Sequence, residues 1–125
     1  MELWGDAADA AAADAVGELE GLQASGWAVN GVEPTLRALF QGQVRTLIVD
    51  QDAEQPGYRL PGSGRLTTAP SGLKSEGEPI PVADVLDDAI EDALRQRCRV
   101  AVVHGDDASL VEHAAAILRF RNNGK

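Results

Sequence analysis

Aromatic residues are scarce: two Trp, two Phe and one Tyr, 4 % of 125 residues. A core must therefore be filled by Ala, Val, Leu and Ile. Cysteine is scarcer. The single thiol, Cys98, excludes an internal disulfide and any zinc site built from several thiolates. Basic residues are also few, eleven Lys and Arg against twenty Asp and Glu, for a formal charge of −9. That balance disfavours a phosphate backbone as partner, because such a backbone normally meets a basic footprint. A basic protein partner suits it better. No apolar run approaches the roughly 20 residues of a membrane-spanning helix. The first fourteen residues carry acids and no Lys or Arg, unlike a secretory signal. The expected compartment is the cytoplasm, with no membrane contact.

What is present points to one folded domain. Hydrophobic residues make up 44 % and charged residues 25 %, ordinary globular values. A chain of this length buries about two thirds of its unfolded surface and needs no staple. Residues 1–27 are Ala-rich. Leu3, Ala7, Ala11, Ala15, Leu19 and Leu22 recur at helical spacing. Gly26 and Asn30-Gly31 interrupt that helix. The stretch from Glu33 to Gln41 predicts a second helix, with Pro34 in its first turn and Leu36, Leu39 and Phe40 buried. Val44 to Asp50, VRTLIVD, predicts a central strand covered on both faces.

Residues 51–81 hold five of the six prolines and predict a loop-rich insertion. Short strands are expected at 58–60 and 65–68, with a turn at Pro61-Gly62-Ser63-Gly64. Val82, Val85, Leu86, Ala89, Ile90, Ala93 and Leu94 trace a third helix, over 82–97. Arg99 to Val103 predicts a strand, forming a right-handed βαβ unit with the first. Asp106 or Asp107 is expected to cap a helix running to about Ala114, followed by a last strand over 116–121.

Enzyme signatures are missing: no His-x-x-x-His, no Gly-x-Ser-x-Gly, no Walker loop and no Gly-x-Gly-x-x-Gly. No metal or cofactor is implied. His104 follows a strand end, where α/β sheets bind ligands, and Asp106 and Asp107 follow it. The trio reads either as a ligand edge or as a turn and a helix cap. Cys98, between Arg97 and Arg99, reads as a thiol activated by charge or as a small buried side chain. His113 reads as a histidine on a helix surface.

The strongest pattern is electrostatic. Asp84, Asp87, Asp88, Glu91 and Asp92 fall at i, i+3, i+4, i+7 and i+8 on one helix, with Arg95, Arg97 and Arg99 after them. Acids at the N-terminal end and bases at the C-terminal end suit the helix dipole. The row is either a solvated face or a docking ridge for a basic partner.

The run GVEPTLRALFQGQVRTLIVD, with Ala38-Leu39, Gly42, Val44, Leu47, Val49 and Asp50, resembles the opening of the C-terminal domain of the archaeo-eukaryotic peptide-chain release factor and Pelota superfamily, in its bacterial branch. RVAVVHGD and the closing AAAILRFR are similar to that domain's end. The resemblance covers about residues 28–121. It implies a three-layer α/β sandwich, a mixed central sheet with helices on both faces, similar to kink-turn-binding ribosomal proteins. It also implies a non-catalytic interaction module docking on a translational or ribosomal protein. Peptide release belongs to a preceding domain with a Gly-Gly-Gln loop. Gly42-Gln43 follows Gln41 here, so that role is not transferred. The paired cysteines of many bacterial relatives are missing from residues 51–81. The expected organisation is a connector helix over 1–27 and one domain over 28–125, within a longer protein. Two other readings stand beside it: RNA binding, which a basic patch at Arg59, Arg65 and Lys74 would favour, and a small ligand-binding or enzymatic domain using the strand end near His104.

Overall fold

The structure, a computed structural model, describes residues 14–69, 77–105 and 108–119. Helix α1 runs over 14–23. It is followed by β1 (Ala28–Asn30), α2 (Val32–Phe40), β2 (Val44–Asp50), β3 (Gly57–Arg59), β4 (Leu66–Thr67), β5 (Ile80–Val82), α3 (Val85–Arg95), β6 (Arg99–Val103), a 3-10 turn (Ala108–Leu110) and β7 (Ala114–Leu118).

The main sheet has the order β1-β7-β2-β6. β2 and β6 are parallel, with Leu47 opposite Val100 and Ile48 opposite Ala101. β7 runs antiparallel to both β1 and β2, so the sheet is mixed. Helices cover both faces. On one, Leu36 and Leu39 of α2 and Val85, Leu86, Ala89 and Ala93 of α3 pack on Val44, Leu47, Val49, Ala114, Ala116 and Leu118. On the other, Ala15, Val16 and Leu19 of α1 pack on Ile48, Ala101, Val103, Ala115 and Ile117. Alternation along β2 sends Leu47 and Val49 to one layer and Ile48 to the other. A register shift between Val44 and Thr46 lets Val44 share the Leu47 face. The expected three-layer sandwich is what forms. The expected lead-in helix, where it is described, is one of its layers.

Several local expectations are corrected. Residues 28–30, which begin between the interruptions at Gly26 and Asn30-Gly31, are strand β1. Their backbone pairs with residues 115–117 of β7. The predicted helix from Asp106 to Ala114 does not form: a single 3-10 turn occupies 108–110, His113 has φ 71°, and Ala114 already begins β7. Alanine favours helix, but all five β7 residues are buried between strands and between layers, where small side chains let α2 and α1 approach. Residues 80–82 form β5 rather than loop and helix, and α3 starts at Val85. The insertion carries most of a second sheet, order β4-β3-β5, in which Leu66 and Thr67 are buried, as is Leu60 just after β3. Phe40 and Leu94, expected inside, are 48 % and 60 % exposed. Leu3, Ala7, Ala11, Lys74, Asp106, Asp107 and the expected strand end at 120–121 lie outside the described residues.

Candidate functional site

The acidic row of α3 divides into three parts. Asp84 is the N-cap, and its carboxylate accepts from the backbone N–H of Leu86 at 3.0 Å and of Gln55 at 3.1 Å. It therefore fastens the linker after β2 to the start of the helix. Asp88 and Asp92 turn toward β3. Arg59 reaches them at 3.3 and 3.6 Å, while its other terminal nitrogen donates to the Gly64 carbonyl at 2.7 Å. Arg95 adds a contact to Asp92 at 3.0 Å. Asp87 and Glu91 remain exposed. The expected ridge of five free carboxylates is thus narrower: one caps, two are paired with arginine, and two face solvent. At 100° per residue the five cover an arc of about 140°, with Asp88 and Asp92 on one side of it and Asp87 and Glu91 on the other, and β3 lies along only the first side.

Asp84 and Asp87 meet a further carboxylate, Asp50 at the end of β2. Together with Ala53, Ile90 and Val102 they line a cleft of about 220 Å³. Asp50 holds its own turn, accepting from Asp52 N–H at 2.9 Å. Val102, on edge strand β6, is 44 % exposed. The cleft combines acids with exposed apolar surface at the C-terminal end of the sheet. His104 follows β6 and is exposed, but it does not line this cleft. Among the described residues, no group of three or more His, Cys, Asp or Glu side chains is placed to hold a metal ion.

Cys98 follows its quieter reading. It is buried, and its thiol donates to the Val44 carbonyl at 3.2 Å. Arg119 donates to the same oxygen from Nε and a terminal nitrogen at 3.1 and 2.9 Å.

Sequence reasoning missed Glu33. Its carboxylate accepts from Thr68 N–H at 2.6 Å and from the Thr67 and Thr68 hydroxyls at 2.9 Å each. Burial pushes its pKa up, but those donors and the nearby Arg65 outweigh burial and hold it below the usual glutamate range. Glu33 clips β4 to α2. Nothing in the local pattern signals it, because its partners lie 34 and 35 residues away.

No protein-family model matches the chain, and no curated protein matches it in sequence. Solved structures do. The C-terminal domain of a peptide chain release factor from Methanosarcina mazei superposes with a TM-score of 0.67 at 20 % identity, covering 97 % of this chain and 88 % of that one. The Pelota protein of Thermoplasma acidophilum gives 0.59 at 19 % identity, over 90 % of this chain and 29 % of that one. An archaeal translation termination factor gives 0.55 at 21 %, over 87 % and 25 %. The chain therefore has the fold of a release-factor C-terminal domain. It spans under a third of the Pelota protein and of the termination factor. Among the described residues, no helix is long and apolar enough to cross a membrane.

Proposed function

We propose that the chain is a non-catalytic interaction domain of a release-factor-like, translation-associated protein of the cytoplasm. It docks on a basic segment of a translational or ribosomal protein. The observation that carries this reading is the cleft where Asp50, Asp84 and Asp87 border the exposed Val102. Acids steer a basic partner during encounter, and the apolar part supplies contact area once it has arrived. The fold supports the translational context. The sequence echoes at residues 38–50 and 114–121 support the bacterial branch of that superfamily. RNA binding is disfavoured by the charge of −9 and by the engagement of Arg59 with Asp88 and Asp92.

Co-sedimentation with ribosomes of the source organism tests the docking. The double variant Asp87→Asn, Glu91→Gln should sediment less at low salt and differ little from the parent at high salt, where exposed charges are screened. Equal sedimentation of both proteins at every salt concentration would remove the acidic face from the interface. Peptidyl-tRNA incubated with the chain should stay intact, and turnover lost on His104→Ala would instead establish an enzyme.

A further inference from the structure

The opposite flank of α3 carries a second concavity of different character. α2, α3 and the β3–β4 hairpin enclose a groove of about 290 Å³. Buried Leu36, Leu39 and Leu66 form its apolar base. Arg59, Arg65 and Arg95 line it against a single carboxylate, Asp92. In a chain with twenty acidic residues and eleven basic ones, three arginines concentrate in one small groove.

The three are not equivalent. Arg59 is held by the Gly64 carbonyl, Asp88 and Asp92. Arg95 rests on Asp92, with 72 % of its side chain exposed. Arg65 lies over the Phe40 ring, 5.9 Å from its centroid, and its Nε is buried with no hydrogen-bond partner. Its nearby carboxylate, Glu33, spends its oxygens on Thr67 and Thr68. A guanidinium is shaped to take a carboxylate through two parallel bonds. Phe40, 48 % exposed, leaves an aromatic surface beside that fork.

We propose that this groove binds an acidic peptide segment of a protein partner. One carboxylate accepts from Arg65, and a neighbouring apolar side chain lies against Phe40 and the leucine base. The groove is at the small end of ligand pockets, room for one or two side chains rather than a cofactor. The leucine base offers contact to an apolar peptide side chain and none to a phosphate backbone, which favours a peptide over RNA. The inference goes beyond the acidic-cleft reading and does not depend on it.

The probe is fluorescein-labelled acetyl-Glu-Asp-Leu-Phe-Glu-Asp-amide, titrated by anisotropy against the full chain. Saturable binding is expected, with a shift of the Arg65 Nε–H resonance in the unaltered protein. Arg65→Gln should weaken binding about tenfold, the value of one charge-assisted hydrogen bond. Arg95→Gln, at an exposed site that leaves the fold intact, should weaken it by a smaller factor. The Gln/Asn version of the peptide should not bind. Asp87→Asn with Glu91→Gln should leave peptide affinity unchanged, so failure here is separable from failure of the cleft. An unmoved Arg65 resonance at saturating peptide would overturn the proposal. So would equal affinity for a folded Arg65→Gln variant, or complete displacement of peptide by an equimolar twelve-nucleotide RNA.

Discussion

Arg97 occupies at the end of α3 the position that Gly42 occupies at the end of α2. Each has a positive φ, 63° and 72°. Each donates its N–H three residues back, Arg97 to Leu94 and Gly42 to Leu39, both at 3.1 Å. The following residue donates five back, Cys98 to Ala93 and Gln43 to Ala38, both at 2.9 Å. Gly26, with φ 86°, and Trp27 repeat the pattern after α1. These are left-handed helix caps, and in each case a sheet strand begins two residues later. Glycine takes the left-handed conformation without steric cost, whereas arginine does not.

Arg97→Gly should therefore stabilise the domain by about 0.5–1 kcal/mol, the steric relief less the extra entropy of a glycine. Gly42→Ala should destabilise it by about 1 kcal/mol. Urea midpoints at unchanged slope read both changes. A lower midpoint for Arg97→Gly would mean that the arginine side chain contributes more than its backbone costs.

Thr35 is buried in α2, and its hydroxyl lacks a hydrogen-bond partner. Thr35→Val keeps the shape and removes the unsatisfied group, so a gain of about 1 kcal/mol is expected. Thermal unfolding should show the rise. A loss would reveal a water bound to the hydroxyl.

Glu33 links stability to acid. Its carboxylate is favoured more in the folded chain than in the unfolded one, so the folded pKa is the lower of the two. Its contribution is complete above the unfolded glutamate pKa and fades as pH falls through the folded one. Glu33→Gln should lower stability at neutral pH. It should also flatten the decline of stability that the parent shows below the ordinary glutamate range. Parallel acid titrations of unfolding free energy compare the two slopes.

The paired and unpaired acids of α3 should separate in stability measurements. Asp87→Asn with Glu91→Gln, both exposed, should shift stability by no more than about 0.5 kcal/mol. Asp88→Asn with Asp92→Asn leaves Arg59 without its carboxylates and should cost more, about 1 kcal/mol. Chemical denaturation of the two double variants should rank them in that order.

The parts legible in the sequence are those whose signal is local. VRTLIVD announces a strand covered on both faces, and β2 spans those seven residues. The 3.6-residue apolar spacing marks α2 and α3, and the carboxylate row places the acids on α3. What was illegible is set by distant partners. β1 is three residues between turn signals, and only pairing with β7 makes it a strand. Ala114 reads as the end of a helix because alanine's preference is intrinsic, while the slot that residues 114–116 fill is created by β1 and β2. Arg59 meets Asp88 across 29 residues, so neither member announces the other. Arg65 and Phe40 come together only through the packing of the hairpin on α2.

The position of β7 bears on synthesis. It is late in the chain, yet it stands between β1 and β2, which do not pair with each other. Until residues 114–118 emerge, β1 has no neighbour and β2 exposes a full row of backbone donors and acceptors. A nascent chain arrested before that point therefore holds an open, apolar seam down the middle of its sheet, and its folding waits on a five-residue alanine-rich wedge. Pulse proteolysis of chains stalled at successive lengths should show protection of residues 28–50 rising in one step as that wedge clears the ribosome.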